Sequence, residues 1–257
     1  MVNKNTFIAI GIAALIFIIP GCIKKKQRNY NVNYCNPAIY LPLDGVIQDF
    51  SQFKNAVKVH GSPTPAADRF GNINGALNFN GSTDYLELPH IKHYTGNSIL
   101  VSAWVYPKGF GFYDNGIKPL QEYSGIFNKW DHTNRKGIST YATHKQIRTN
   151  GQFANQVFYD CGSVPGTFLE TNKWQHIAYQ ICDGKIKCYL NGNVVVDKDF
   201  NNKSGLLSVT APIEIGRTQW HPSNARMISY FTGSIDDVRI YYNCCDIKVL
   251  DLYGAKP

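Results

Sequence analysis

The glutamates are the first candidates for catalysis. Hydrolysis of a glycosidic bond needs two carboxyl groups, one as proton donor and one as nucleophile or base. The chain has 257 residues and only four glutamates: Glu87, Glu122, Glu170 and Glu214. Residues two apart on a strand share a face, yet no glutamate has an acidic residue two positions further on. Glu87, in the alternating segment 85–88, is therefore expected to face solvent without an acidic partner.

The aspartate pairs offer no better catalytic arrangement. Asp236 and Asp237 are adjacent and should face opposite sides of a strand. Asp197 and Asp199 share a face, but they end a strand beside Lys198, and we expect both side chains to face solvent. The sequence also has no Gly-x-Ser-x-Gly elbow and no glycine-rich phosphate loop. We expect a protein that is not an enzyme.

Two polar loops carry large aromatic side chains of the kind that stack on sugar rings, beside groups that hydrogen-bond hydroxyls. The candidate ligand-binding residues are Trp220, His221, Asn224 and Arg226 in one loop, and Phe112 and Tyr113 in the other. Loops of a rigid scaffold often carry binding function. The alternative is that these aromatic side chains fold over a sheet edge. Trp104 and Trp174 lie within strand motifs and are expected to pack.

The front of the chain predicts export. Lys4 precedes a thirteen-residue apolar run, Phe7–Ile19, which is too short to cross a bilayer of about 30 Å comfortably and is typical of a signal peptide. Pro20-Gly21-Cys22 then resembles a bacterial lipoprotein box, with cleavage before Cys22 and acylation of its thiol. We predict a signal peptide (1–21), an acylated cysteine with a basic linker (22–37) and a domain (38–257). The alternative is an uncleaved anchor helix.

The net charge of +8 belongs largely to this front end. All 18 acidic residues lie after residue 28, whereas five of the 26 basic residues lie at or before it, which leaves an excess of three positive charges from Asn29 onward. The cluster Lys24–Lys26 is next to the predicted anchor, where it could favour anionic lipid or act as a solvated spacer. No nucleic-acid partner is expected.

Six cysteines follow Cys22, and an exported chain can form disulfides from them. Cys182 and Cys188 flank an Asp-Gly turn; in a two-residue hairpin Cys182 would pair with Lys185 and Tyr179 with Cys188. The two cysteines would then face opposite sides, so a bond between them is disfavoured. We favour a bridge from Cys35 to the Cys244-Cys245 pair. Zinc is the competing interpretation, but no C-x₂-C or HExxH motif is present, and His90 and His93 read as loop residues.

Short strand-like runs separated by turn residues recur along the domain, and the scarcity of Glu with abundant Tyr, Phe and Gly favours strands over helices. The stretch from Trp174 to Asp197 reads as an antiparallel meander. One helix is predicted, from Cys244 to Tyr253. The predicted strands are Ile39–Leu43, Ala76–Phe79, Tyr85–Leu88, Ile99–Tyr106, Ser124–Lys129, Ile138–Ala142, Gln156–Asp160, Gln175–Cys182, Lys185–Leu190, Asn193–Asp197, Ile213–Ile215 and Ser234–Tyr241.

A series of motifs resembles the laminin-G-like, concanavalin A-like jelly-roll domains of bacterial secreted proteins and lipoproteins. The resemblance covers Ala38 to Tyr253 and implies an all-β, two-sheet antiparallel sandwich with a short C-terminal helix. The cysteines and the segment 243–246 depart from the family pattern. The motifs are Asp68–Asn72, Gly75–Gly81, Asp84–Leu86, Ser102–Val105, Trp174–Ala178, Tyr189–Gly192, Ile215–Arg217 and Phe231–Tyr241.

The resemblance also implies a structural calcium ion between the first strand region and the last strand, where Asp44, Asp49 and Asp236 or Asp237 stand. Carboxylate clusters suit calcium, although Asp49 could instead cap a turn. The Glu-x-Asp-x-x-Glu pattern of the related laminarinases is absent.

These observations favour a lipid-anchored, non-catalytic recognition domain of the bacterial cell envelope, facing the periplasm or the cell surface, with a glycan as its ligand. A protein-interaction or structural module with an envelope protein as partner is the alternative, since such domains bind both. A glycoside hydrolase is a third hypothesis, and it requires two carboxyl groups in one groove.

Overall fold

The computed structural model describes residues 35–91, 98–110, 112–113, 121–131, 133, 136–143, 146–152, 158–162, 168–199, 209–219 and 228–247. These residues form strands and turns, and none of them is helical. No helix that could cross a membrane occurs in this part of the chain. In chain order the strands are β1 (Ile39–Leu41), β2 (Lys58–His60), β3 (Thr64–Ala66), β4 (Ala76–Asn80), β5 (Tyr85–Leu88), β6 (Ile99–Pro107), β7 (Phe112–Tyr113), β8 (Gln121–Asp131), β9 (Lys136–Thr143), β10 (Gln146–Gln152), β11 (Phe158–Gly162), β12 (Gln175–Cys182), β13 (Lys185–Leu190), β14 (Asn193–Asp199), β15 (Ile213–Ile215), β16 (Arg217–Gln219), β17 (Ile228–Tyr230) and β18 (Thr232–Tyr241).

The strands form two large antiparallel sheets and a small ribbon. Sheet A has the order β14-β13-β12-β6-β18-β4-β3, with β1 also paired to β18. Sheet B has the order β11-β10-β9-β8-β15-β5-β2, with β7 also paired to β8. The ribbon consists of β16 and β17. The two-sheet antiparallel sandwich expected from the sequence is therefore confirmed.

The core consists of the apolar side chains that alternate along both sheets. Leu86 and Leu88 of β5 are fully buried, as is Ile213 of β15. Phe127 of β8 and Tyr179 of β12 meet edge to face across the two sheets, with ring centroids 5.7 Å apart. Burying one large apolar side chain contributes about 1.5–3 kcal/mol, so this core holds the two sheets together.

The β12–β13 hairpin has the predicted register. Cys182 pairs with Lys185 and Tyr179 with Cys188. Asp183 and Gly184 both have positive φ (50° and 75°), as a two-residue type I′ turn requires. The two cysteines consequently do not bond to each other, and the buried Cys188 forms no disulfide.

Two disulfides fix the C-terminal segment of the domain, one to its N-terminal end and one to the end of β12. Cys35 bonds to Cys245, with Cα atoms 5.8 Å apart, which confirms the favoured bridge between the ends. Cys182 bonds to Cys244, with Cα atoms 5.4 Å apart. The adjacent residues Cys244 and Cys245 therefore bond to two different parts of the fold. Residues 244–247 are irregular, whereas the sequence predicted the start of a helix there. The remainder of that predicted helix lies outside the described residues.

Candidate functional site

A row of polar residues crosses the outer face of sheet B. Along β5 and β15 the buried leucines and isoleucines face the core, so the residues between them face outward. Residues that are direct partners on neighbouring strands share a face. In register order the row is Lys58, Glu87, Glu214, Asn128 and Ser139, and the backbone partners Asn150 and Asp160 continue it.

Glu214 is the buried centre of this row. Asn128 Nδ2 donates a hydrogen bond to Glu214 Oε2 (2.9 Å), and Ser139 Oγ donates to Asn128 Oδ1 (2.6 Å). Burial raises the pKa of Glu214 above its ordinary value, and the neighbouring Glu87 raises it further, against the lowering effects of Arg217 and Asn128. The chain of hydrogen bonds fixes the direction in which this carboxyl group points.

Glu87 does have an acidic partner, which corrects the sequence-based expectation. Glu214 of β15 is its direct partner across the sheet. His60 Nε2 lies 3.1 Å from Glu87 Oε2, and the Glu87 side chain is 31% exposed. The pairing joins two strands that are distant in sequence, so no spacing rule along one strand could have revealed it.

A stack of aromatic and guanidinium groups adjoins the two glutamates. The ring of His60 lies parallel to Tyr85, with centroids 4.0 Å apart. The Arg217 guanidinium lies 4.4 Å from the Tyr85 centroid and 6.0 Å from that of Tyr230. Arg217 Nη2 also lies 3.5 Å from Glu214 Oε1. His60 and Arg217 cover the buried Tyr85 ring, so Tyr230, which is partly exposed, is the aromatic ring of this group that a sugar could contact.

The ribbon β16–β17 reaches this face because of Gly125. A Cβ atom on Gly125 would lie 2.3 Å from Thr218 N and 2.4 Å from Ser229 O, so only glycine permits the approach. The register of β8 against β9 shifts at this point, between Gly125 and Phe127. Arg217 is the first residue of this ribbon, which is why its guanidinium reaches Tyr85.

The predicted ligand-binding residues flank this ribbon in the chain. Trp220, His221, Asn224 and Arg226 connect β16 to β17 in sequence and lie outside the described residues. Phe112 and Tyr113 form β7, whose backbone pairs with β8 and contacts β17; nothing is described of their side chains. Strands β7, β16 and β17 thus all contact β8, and the ligand role of the predicted residues stays a prediction. Sequence reasoning missed His60, Arg217 and Tyr230, because only the fold brings them beside Tyr85.

Asp236 and Asp237 do not face opposite sides, so that expectation was wrong. The register of β18 shifts between Asp236 and Arg239, and Asp237 has a φ of 49°. Both carboxylates consequently reach the buried Arg69, at 3.0 Å from Nη1 and 3.5 Å from Nη2. The guanidinium also lies 4.8 Å from the ring centroid of Trp104, which agrees with a packing role for this tryptophan.

The four aspartates predicted to hold calcium have different surroundings. Asp49 accepts hydrogen bonds from the backbone N–H groups of Tyr40, Ser51 and Asn55, at 2.8–2.9 Å, as a turn cap would. Asp236 and Asp237 bind Arg69, and Asp44 is exposed. Donor groups therefore surround three of these carboxylates, and the calcium site stays a prediction.

No zinc-like cluster is available among the residues that the structure describes. The one group of potential metal ligands found there is Cys182, Asp183 and Cys244, and its two thiols form a disulfide. His90, predicted as a loop residue, lies outside the strands and contacts Lys129 Nζ at 3.2 Å. Burial lowers the pKa of Lys129 to about 8. His93 lies outside the described residues.

Residues 80–246 match the family model described as the concanavalin A-like lectin/glucanases superfamily. The chain belongs to this superfamily. Its fold of two antiparallel sheets agrees with membership. No curated protein matches the chain in sequence.

Several solved structures with a similar fold have titles that describe binding domains. The binding domain of Paraclostridial Mosquitocidal Protein 1 superposes with a TM-score of 0.63 at 14% identity, over 82% of this chain and 50% of that one. The ligand-binding domain of botulinum neurotoxin serotype D, in complex with N-acetylneuraminic acid, gives 0.60 at 14% identity, over 82% and 48%. A structure of botulinum neurotoxin type C, whose cell entry depends on interaction with two ganglioside molecules, gives 0.59 at 12% identity, over 84% and 50%. At these identities the likeness shows the fold alone. This chain spans about half the length of each of the three solved structures.

Proposed function

We propose that the chain is a lipid-anchored, non-catalytic domain that binds a glycan on the outer face of sheet B. The observation that carries the proposal is the polar row that contains Glu87 and Glu214, with the Tyr85–Arg217–Tyr230 stack beside it. A carboxylate can accept hydrogen bonds from two neighbouring hydroxyls, and an aromatic ring can pack on the C–H face of a pyranose. Membership of a superfamily named for lectins and the two glycan-associated neighbours support this function.

The proposed anchor and location rest on the front of the chain. Cys22 is acylated, and the domain is exported to the bacterial envelope, where it faces the periplasm or the cell surface. The disulfides Cys35–Cys245 and Cys182–Cys244 support an oxidising compartment. In a Cys22→Ser variant the protein should leave the membrane fraction; if it stays, an uncleaved helix holds it.

The test of the ligand is a broad glycan array probed with the detergent-extracted full chain, with and without calcium. Binding to one glycan class supports the proposal. A blank array in both conditions contradicts it and favours the protein-interaction alternative. Trp220→Ala should abolish binding with little change in melting temperature. Trp174→Ala is the contrasting variant: its indole packs 5.6 Å from Tyr106, so it should lower the melting temperature.

A second candidate function, glycoside hydrolysis, is favoured by the opposition of Glu87 and Glu214. A raised pKa suits a proton donor. Binding is the stronger candidate because both oxygens of Glu214 already have partners: Asn128 donates to Oε2, and Arg217 lies near Oε1. Release of reducing sugar from the bound glycan, lost in Glu214→Gln, would establish hydrolysis instead.

A further inference from the structure

Exposed large apolar side chains are concentrated near the start of the domain. Among the described residues, those between positions 46 and 73 are Val46, Phe50, Phe53, Val59, Phe70 and Ile73. Outside that stretch the exposed ones are Phe168 and Val194. Isolated exposed apolar residues are ordinary, but a local concentration indicates an interaction surface.

Two of these residues belong to a loop that the structure holds in place. The side chain of Asp49 accepts hydrogen bonds from the backbone of Ser51 (2.9 Å) and Asn55 (2.8 Å). Phe50 and Phe53 lie within this loop and are 54% and 44% exposed. The loop is therefore fixed by polar contacts on its inner side, while its phenylalanines remain outside. We call residues 49–55 the Phe loop.

The Phe loop lies at the point where the linker enters the domain. Ser51 Oγ and Asn55 Nδ2 both donate to the carbonyl of Ala38, at 3.0 and 3.1 Å. Ala38 is three residues beyond Cys35, which is fixed to Cys245. If Cys22 carries the lipid, as the proposed function requires, thirteen residue steps span at most about 45 Å from the bilayer to Cys35. The linker therefore limits the distance of the Phe loop from the bilayer and leaves the loop within reach of the membrane surface.

We infer that the Phe loop docks on the phospholipid surface that holds the acyl anchor, with Phe50 and Phe53 at the level of the head groups. Phenylalanine is among the residues that bury the apolar side of an interfacial segment at the boundary between head groups and acyl chains, and such apolar contact adds to a lipid anchor as a second attachment. Lys54, between the phenylalanines and Asn55, is exposed and would meet anionic head groups. Val46 (49% exposed) extends the apolar surface along the preceding turn.

A lipid occupant fits better than a protein for reasons of placement and charge. The linker carries Lys24–Lys26 at its membrane end, and Lys54 repeats this charge at its domain end. Asp44 is the acidic residue of the neighbouring turn. The Phe loop exposes apolar side chains and one lysine within one linker length of the proposed anchor, so the lipid surface is the partner nearest to it.

The test places a tryptophan in the loop. The full chain with Phe53→Trp is extracted in its lipidated form and reconstituted in vesicles of phosphatidylethanolamine and phosphatidylglycerol, with or without brominated acyl chains. Val194→Trp, at an equally exposed position (51%) on the edge strand β14, is the matched control. We expect the brominated vesicles to quench the added fluorescence of Phe53→Trp and to leave that of Val194→Trp unchanged.

The outcomes separate this inference from the proposed function. If the unsubstituted protein floats with vesicles but neither Phe53→Trp nor a second variant, Phe50→Trp, is quenched more than the control, the docking inference is overturned and the anchor stands. If the protein does not float with vesicles at all, the anchor is wrong and the docking inference falls with it. Quenching at position 53 and at position 194 alike would also overturn it, because contact would not be confined to the loop.

Discussion

Glu87 and Glu214 are direct cross-strand partners on the outer face of sheet B. One of them is partly exposed and bound to His60, and the other is buried and held by Asn128. This asymmetry assigns them different roles. Glu87 is available to a ligand, whereas Glu214 orients its neighbours.

Glu87→Gln should weaken glycan binding by about tenfold or more, because hydrogen bonds from a ligand to a charged acceptor are worth about 1.5–3 kcal/mol. The melting temperature should change little, since the side chain is partly exposed. Titration calorimetry with the glycan found on the array measures the effect. Glu170→Gln is the control, because Glu170 is an exposed glutamate paired with Lys173; equal losses in both variants would exclude a specific role for Glu87.

The raised pKa of Glu214 predicts a pH dependence of stability. The folded state holds this proton more tightly than the unfolded chain, for which the ordinary value is 4.5. The contribution of Glu214 to the free energy of unfolding is therefore fully present below pH 4.5 and is lost as the pH rises through the higher folded-state pKa. It amounts to about 1.4 kcal/mol for each tenfold difference in proton affinity between the two states. Urea unfolding from pH 4 to pH 8 should show a smaller decline in Glu214→Gln than in the unsubstituted protein. An unchanged slope would mean that another group titrates.

Arg69→Met should destabilise the fold by about 3–5 kcal/mol, because it leaves the buried carboxylates of Asp236 and Asp237 without their cation. Chemical unfolding gives the free energy. Lys173→Met removes an exposed ion pair, with side chains 58% and 59% accessible, and should leave the unfolding midpoint nearly unchanged. Similar effects in the two variants would mean that the Arg69 network contributes little.

The Cys35→Ala, Cys245→Ala double variant should lose about 2–5 kcal/mol of unfolding free energy, as is usual when a native disulfide is removed from an exported domain. Alkylation of the unfolded, unreduced protein followed by peptide mass spectrometry checks the pairing. Of the five cysteines whose side chains the structure describes, Cys188 should be the one that reacts. Labelling of Cys182 or Cys244 would contradict the second bridge.

Removal of calcium tests the remaining sequence prediction. Asp49 accepts backbone hydrogen bonds, and Asp236 and Asp237 contact Arg69, so these carboxylates have partners without calcium and we expect EDTA to leave the melting temperature unchanged. A melting temperature that falls in EDTA and recovers with added calcium would instead support a structural ion near Asp44.

Local sequence patterns predicted those parts of the fold that depend on nearby residues. The strand Gln175–Cys182 and the Asp183-Gly184 turn were predicted because alternation and turn chemistry act over a few positions. Strand β10 (Gln146–Gln152) was missed because its sequence, QIRTNGQ, is polar, and its neighbours β9 and β11 supply its hydrogen bonds.

The candidate site depended on contacts between distant segments. Tyr85 meets Arg217 only after β15 docks beside β5 and the ribbon folds over Gly125. The bulge that turns Asp237 toward Arg69 likewise follows from packing and has no signal in the adjacent acids. Long-range pairing of this kind cannot be read from one sequence.

The adjacent cysteines also have a mechanical consequence. When the chain is pulled through its N-terminal linker, the force enters at Cys35 and passes through covalent bonds to Cys245 and, one residue away, through Cys244 to Cys182 at the end of β12. The bridge from Cys35 spans a sequence separation of 210 residues. The disulfide therefore carries the tension, and the strands between the two cysteines do not. The domain can therefore bear a load applied at its N-terminal end without unravelling from its first strand.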